Sequence, residues 1–132
     1  MKSSKLVVIG GGGKVVLLVR RRQDRLWMFP GGRRNRKLKE SPKQCLRREL
    51  REELPNLRPS AFRIWKRLSG RNAKSGKTMS DAVFLSRTAS GKLTIGDREI
   101  DKAAWRRPWK IRLTATSKQI RDDLKKEGRL KY

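Results

Sequence analysis

Apolar positions along the chain come in short runs broken by glycine, proline and charge. Lys5–Ile9 and Lys14–Arg21 flank the four glycines Gly10–Gly13 and read as two strands joined by a tight turn. Phe62–Ser69 alternates between apolar and polar residues and predicts a third strand. Lys77–Arg87 predicts a fourth, with Ser75-Gly76 in the turn between them. Two segments carry the helical period instead. Ser41-Pro42 has the form of an N-cap followed by proline in the first turn, and Pro55 ends the segment. Within it Cys45, Leu46, Leu50 and Leu54 form an apolar stripe at helical spacing. Ser117–Glu127 predicts a second helix, capped by Thr116 or Ser117 and stopped by Gly128.

Composition narrows the class of chain. A length of 132 residues fits one domain, 1–132, large enough to bury one core. Lys and Arg number 37 against 12 Asp and Glu, a formal net charge of +25. The grouped apolar runs and four Trp exclude a disordered basic tail. The absence of His excludes Ser-His-Asp and Cys-His catalysis and His-ligated metal. A single Cys excludes an internal disulfide and a thiolate zinc cluster. No apolar run approaches the roughly 20 residues that span a membrane, and no secretory leader is expected, so the expected location is the cytoplasm. The charge leaves nucleic-acid binding or chemistry on anionic substrates.

The acids are more informative than the bases. Residues 1–39 hold one, Asp24, and residues 55–96 hold one, Asp81. The other ten lie in two segments. Glu40, Glu49, Glu52 and Glu53 fall in the window 40–54, and Asp97, Glu99 and Asp101 cluster farther on. Glu49, Glu52 and Glu53 stand at i, i+3 and i+4, so they share a helix face. Two readings follow: a solvated face paired with nearby Arg, or a hard-cation site, since Mg²⁺ and Mn²⁺ prefer oxygen ligands.

The order Pro30-Gly31-Gly32, Glu40, then Arg48-Glu49-Leu50-Arg51-Glu52-Glu53-Leu54-Pro55 resembles the Nudix box, the signature of the Nudix (MutT-like) hydrolases. The lead-in Trp27-Met28-Phe29 is similar to that family as well. Two departures stand out. Seven residues rather than five separate Gly32 from Glu40, and Pro55 stands where the pattern closes with Gly. Proline also ends a helix, so the second change leaves the pattern's geometry intact. The resemblance implies an α+β Nudix fold, a mixed and partly barrel-like sheet sandwiched between helices. It implies that Glu49, Glu52 and Glu53 hold Mg²⁺ or Mn²⁺, and that Arg48 holds a box Glu in place. It further implies an acid from a later loop as ligand or base. Glu99, six residues before Trp105, is the candidate, with Asp97 and Asp101 competing for the role. The catalytic set is then Arg48, Glu52, Glu53 and Glu99.

The implied chemistry is hydrolysis of a diphosphate linkage. A divalent ion supplies a nucleophilic water and neutralises phosphoryl oxygens. A carboxylate can accept the proton, so the missing His is no obstacle. Arg20, Arg33 and Arg34 are candidates to grip phosphates, and Gly31, Gly32 and Trp27 complete the substrate-binding set. Each of these Arg also reads as an ordinary surface charge, and core packing is the commoner fate of Trp27.

Two other motifs fail on their context. Gly70–Thr78 resembles a P-loop, but its spacing is one residue too long and a strand follows it. Gly10–Gly13 follows a strand but leads into another strand, so it is not a dinucleotide turn. Cys45 reads as a core residue.

The basic excess has three readings: attraction of a nucleotide-type small substrate, contact with the phosphates of RNA, or a general property of the surface. The expected function is a metal-dependent pyrophosphohydrolase acting on a nucleoside di- or triphosphate derivative, as monomer or homodimer. The alternatives are an RNA 5′-end pyrophosphohydrolase and a catalytically idle basic domain that binds nucleic acid.

Overall fold

The computed structural model of the protein describes residues 2–71 and 78–132. In these residues the elements run β1 (Lys2–Gly10), β2 (Val15–Arg21), β3 (Trp27–Met28), β4 (Gly31–Arg33), one 3-10 turn (Arg36–Leu38) and α1 (Pro42–Glu53). They continue β5 (Arg58–Pro59), β6 (Phe62–Arg71), β7 (Thr78–Ser86), β8 (Ala89–Ser90), β9 (Ile100–Arg106) and α2 (Ala115–Lys126). The P-loop-like stretch falls largely on residues 72–77, outside the described residues.

Seven strands form one mixed sheet in the order β3-β2-β1-β7-β6, with β9 on β2 and β4 on β1. The strand β1 is its axis. Along one side it pairs in parallel with β7 from Lys2↔Ser80 to Val8↔Ser86. Its other side is shared. The first residues pair with β4, at Ser3↔Arg33 through Lys5↔Gly31. The last pair with β2, at Ile9↔Val16 and Gly10↔Val15. The sheet therefore forks beside β1 and does not close into a barrel.

Alternation along the strands builds two apolar layers. Leu6, Val8, Leu17, Val19, Ala82 and Phe84 face α1, meeting Leu46, Leu50 and Leu54. Val7, Val16, Leu18 and Val83 face α2, meeting Ile120 and Leu124. Successive strand side chains point to opposite faces, and a central strand covered on both sides becomes a continuous apolar run. That is why Leu6–Ile9 and Val15–Val19 carry no polar residue.

The helix α1 begins as its sequence predicts. Ser41 Oγ accepts the Gln44 N–H at 3.2 Å, and Gln44 Oε1 accepts the Ser41 N–H at 2.9 Å, a reciprocal capping box. Cys45, Leu46, Leu50 and Leu54 are all buried. The start of α2 differs from expectation. Its cap is Thr114, whose side chain accepts the Ser117 N–H at 3.3 Å. Ser117 is instead inside the helix and fully buried, where its hydroxyl accepts the Phe29 N–H at 3.1 Å. A tertiary partner thus claimed the residue that looked like a cap. Gly128 follows α2 with φ +75°, as the predicted stop requires. No helix among the described residues is long and apolar enough to cross a membrane.

Candidate active site

The fork in the sheet opens a cleft of about 640 Å³ between β1–β4 and the end of β2. One wall carries Lys5, Gly31, Gly32, Arg33, Glu49 and Glu53. The facing wall carries Arg21, Arg22, Gln23, Met28, Arg98 and Glu99. Five cations and three carboxylates therefore share one concavity. Its volume lies within the roughly 300–1,000 Å³ usual for small-molecule sites.

Gly32 lets α1 approach the sheet, and Gly31 lets β4 approach β1. Gly31 has φ +136°, and a Cβ there would stand 2.0 Å from the Ser4 carbonyl oxygen. Its N–H donates to Glu53 Oε1 at 3.0 Å. A Cβ on Gly32 would stand 2.4 Å from Glu49 Cδ and 2.5 and 2.8 Å from its two oxygens. Glycine at 32 thus admits the Glu49 carboxylate beside β4, and glycine at 31 admits the close approach of β4 to β1. Docking is completed by the Ser4 hydroxyl, which donates to the Pro42 carbonyl at 2.7 Å.

Helix geometry separates the three box carboxylates. At about 100° per residue, Glu52, Glu49 and Glu53 span an arc of about 100° that runs from solvent to core. Glu53 is 4% exposed. Burial pushes its carboxyl up to about 8, against the Gly31 N–H and Lys5, which favour the charged form. Glu49 is half-buried, and its pKa is also raised by burial, with Arg48 opposing. The Glu52 side chain is 51% exposed and lies outside the cleft lining.

Arg48 ties this arc to the preceding loop. Its Nε and Nη2 donate to the two oxygens of Glu40 at 2.6 and 3.0 Å, a bidentate pair. Its Nη1 donates to Glu49 at 3.0 Å and reaches Glu52 at 3.3 Å. Nη2 also donates to the Arg33 carbonyl at 3.1 Å. The Glu40 hydrogen bond raises the Arg48 pKa, and the same bond lowers that of Glu40. The two-residue longer loop has therefore not displaced Glu40 from the box.

The later acids part ways. Asp101 accepts two hydrogen bonds from Arg20, at 2.9 and 3.1 Å, and a further contact from Arg25 at 3.4 Å. Arg20 holds its carboxyl below the usual range. Asp97 accepts the Glu99 N–H at 2.9 Å and so shapes its loop, and its charge raises the pKa of both Glu49 and Glu53. Glu99 is exposed and lines the cleft; its carbonyl accepts the Arg22 N–H at 2.8 Å. Three candidate substrate residues lie outside the cleft lining. Arg20 is engaged by Asp101, and Trp27 is 7% exposed in the α2-side core beneath Arg20 and Arg106. Arg34 lies in the neighbouring loop.

Arg21 and Arg22 belong to the basic run Arg20–Arg22 of the sequence, whereas Lys5 and Arg98 were not singled out from it. Lys5 directly precedes the buried apolar run Leu6–Val8 of β1, and that position was the available signal. Its Nζ lies 3.9 Å from Met28 Sδ. Burial lowers its pKa, while Glu53, Asp81 and Glu49 oppose the shift. Asp81, buried, accepts a hydrogen bond from the Ser3 hydroxyl. Among the described residues no three acidic or Cys side chains stand close enough to hold an ion as they are placed. The donor chemistry nonetheless fits a hard divalent cation: carboxylate oxygens of Glu49 and Glu53 on one wall, with room made by the missing Cβ of Gly32.

A family model described as "NUDIX domain" matches residues 3–126. No curated protein matches. Solved structures show the same fold. The MutT NUDIX hydrolase from Burkholderia pseudomallei superposes with a TM-score of 0.75 at 18% identity, covering 89% of this chain and 92% of that one. The NUDIX domain of Shewanella oneidensis NrtR, complexed with ADP ribose, gives 0.81 at 16% identity, covering 96% and 87%. A bifunctional NMN adenylyltransferase/ADP ribose pyrophosphatase from Francisella tularensis, complexed with AMP and a Mn ion, gives 0.71 at 18% identity, covering 96% of this chain and 41% of that one.

Proposed function

This chain belongs to the NUDIX domain family, and we propose that it is a metal-dependent pyrophosphohydrolase cleaving the diphosphate linkage of a nucleoside di- or triphosphate derivative. The observation that carries this reading is the cleft itself. A buried carboxylate, Glu53, and its neighbour Glu49 face a wall of Arg in a concavity of nucleotide size. A fold with only 12 acids in 132 residues has three of them around this one space.

Glu49, Glu52 and Glu53 would hold Mg²⁺ or Mn²⁺. Such an ion, when bound, makes water nucleophilic and screens the phosphoryl oxygens. The chain's own residues do the rest. Arg48 is a positioning residue that ties Glu49 and Glu52 to Glu40. Gly31 orients Glu53 through its N–H. Lys5, Arg21, Arg22, Arg33 and Arg98 draw the anionic substrate in and neutralise its phosphates. Glu99, exposed on the opposite wall, accepts the proton from the attacking water. The Mn ion and AMP of the Francisella tularensis protein and the ADP ribose of the Shewanella oneidensis domain support a metal and a nucleotide here.

The test is phosphate or pyrophosphate release with Mg²⁺ or Mn²⁺ across nucleoside triphosphates, sugar nucleotides and ADP-ribose. Wild type is compared with Glu53→Gln, Glu99→Gln and Asp97→Asn. Glu53→Gln keeps an oxygen for the Gly31 N–H, so the fold survives while kcat falls at least about 100-fold. Glu99→Gln falls further than Asp97→Asn if Glu99 is the base. Folded wild type that hydrolyses no member of the panel overturns the reading.

A further inference from the structure

Beside the catalytic cleft lies a second cavity, of about 480 Å³, formed by the loop between β4 and α1 and the start of β1. Lys2, Arg33, Arg34, Arg36 and Lys39 line it, with Glu40 as the sole acid in its lining. Glu40 is already engaged: Arg48 takes both its oxygens, one of which also accepts the Asn35 N–H at 3.1 Å. Among the described residues none of the five cations makes an ion pair. The half-buried Arg34 has a buried Nε with no hydrogen-bond partner. A buried donor without an acceptor is costly, and an arriving anion removes that cost.

The loop is built rather than slack. The Arg34 N–H donates to the Lys2 carbonyl at 2.8 Å, extending the β1–β4 pairing. Asn35 caps the 3-10 turn by accepting the Lys37 N–H at 3.0 Å. Lys39 closes it in the left-handed conformation, φ +49°. The loop between Gly32 and Glu40 therefore forms, with Lys2, a defined cationic concavity. It adjoins the cleft, since Arg33 lines both. No aromatic side chain lines it, so it offers charge to phosphates and no platform for a base.

We propose that this loop is a second anion site, which holds the phosphates of a linear phosphate chain running beyond those in the cleft. The chain is either a nucleic-acid backbone following a 5′ end or an extended polyphosphate. The inference rests on the pyrophosphohydrolase reading for its orientation, but binding can be measured without turnover.

The experiment uses the full chain as wild type, as Arg36→Gln/Lys39→Asn, and as Arg63→Gln/Arg67→Gln, which removes two exposed cations from β6. Asn suits the left-handed backbone at residue 39. Affinities for a short 5′-triphosphorylated oligoribonucleotide and for inorganic polyphosphate are measured from about 50 to about 200 mM salt. Each lost contact to a single strand lowers the log–log salt slope by about 0.7. The loop variant should lose about 1.4 in slope, so that its affinity falls about sevenfold less across that range. The β6 variant should behave as wild type, and hydrolysis of a nucleoside triphosphate should be unchanged in both. A reduced slope for the oligonucleotide alone identifies a nucleic-acid backbone as the source, and for polyphosphate alone a polyphosphate chain. Equal losses in both variants, or none in the loop variant, overturn the proposal and leave only background charge. Absence of nucleotide hydrolysis in wild type would strike the pyrophosphohydrolase reading, while the binding comparison would still decide this one.

Discussion

Replacing Gly31 and Gly32 one at a time with Ala should separate folding from function across a single peptide bond. In Gly31→Ala the new Cβ meets backbone, 2.0 Å from the Ser4 oxygen, at φ +136°. The dihedral alone costs about 1–3 kcal/mol. Relief of the clash must also move β4 off β1, weakening the Leu6 N–H to Pro30 carbonyl bond (2.9 Å) and the Gly31 N–H to Glu53 bond, each worth about 1 kcal/mol. The sum is about 3–5 kcal/mol, or a Tm lower by about 12–20 °C at about 4 °C per kcal/mol. In Gly32→Ala the Cβ meets the mobile end of a side chain. Ordinary contact begins at 3.4 Å and the Glu49 Cδ stands at 2.4 Å, so the carboxylate must retreat by about 1 Å. The strained part-exposed Arg48–Glu49 bond costs about 0.5–1 kcal/mol, and the loss of glycine's freedom in the unfolded chain offsets a similar amount. Tm should stay within about 3 °C, while a 1 Å displacement of a reacting group lowers kcat/KM about 100-fold. Thermal unfolding by circular dichroism and divalent-dependent nucleotide hydrolysis read the two effects. A Gly31→Ala protein that melts with wild type, or a Gly32→Ala protein with full activity, would refute the role assigned to each glycine.

Three further outcomes are expected. Lys66, with help from the Trp65 indole N–H, holds the Glu127 carboxyl down to about 2, so its stabilisation is complete above the unfolded value near 4.5 and disappears as pH falls toward 2. Melting curves at pH 5 and pH 2.5 should therefore show a smaller acid-induced fall in Glu127→Gln than in wild type, and identical falls would contradict the pairing. Cys45 is fully buried with a thiol pKa raised by burial, so a disulfide reagent should titrate no thiol in the native protein and one in guanidinium. Thr114→Ala should cost about 1 kcal/mol in chemical denaturation, and Thr116→Ala only a few tenths; the reverse order would restore the later cap.

What the sequence made legible was local. The α1 helix carries its cap, its stripe and its stop within 15 residues, and each of those signals acts over one or two turns. The strands at the centre of the sheet announce themselves because both their faces are covered. The short strands β3, β4, β5 and β8 do not, since two or three residues hold no period. The strand β9 escaped because Ile100–Arg106 mixes charge and small residues, and its pairing partner β2 is about 80 residues away. The site was half legible for the same reason. Glu49 and Glu53 follow from helical spacing. Lys5, Arg22 and Arg98 reach the cleft only through the fork of the sheet, which is a long-range fact. Spacing puts Glu52 on the same face without saying where that face meets water, and its side chain is 51% exposed. Trp27 and Arg20 show the converse: residues close in sequence to the glycine pair that the strand pleat turns away from the cleft.

The fork beside β1 has one more consequence. It divides the cleft into two jaws of different descent in the chain. One jaw, made by β1, β4 and α1, holds the carboxylates through backbone contacts that admit no change at Gly31. The other, made by the end of β2, by Met28 and by the loop at 97–99, pairs with β1 at Ile9↔Val16 and Gly10↔Val15 and is tied to α1 by the Gly96 N–H, which donates to the Glu53 carbonyl at 2.9 Å. Gln23 and Arg98, on the second jaw, make no side-chain hydrogen bond or ion pair to Glu49 or Glu53 among the described residues. Redesign of what the cleft accepts would start with Gln23 and Arg98, and keep Glu99 and the Met28 beside Lys5.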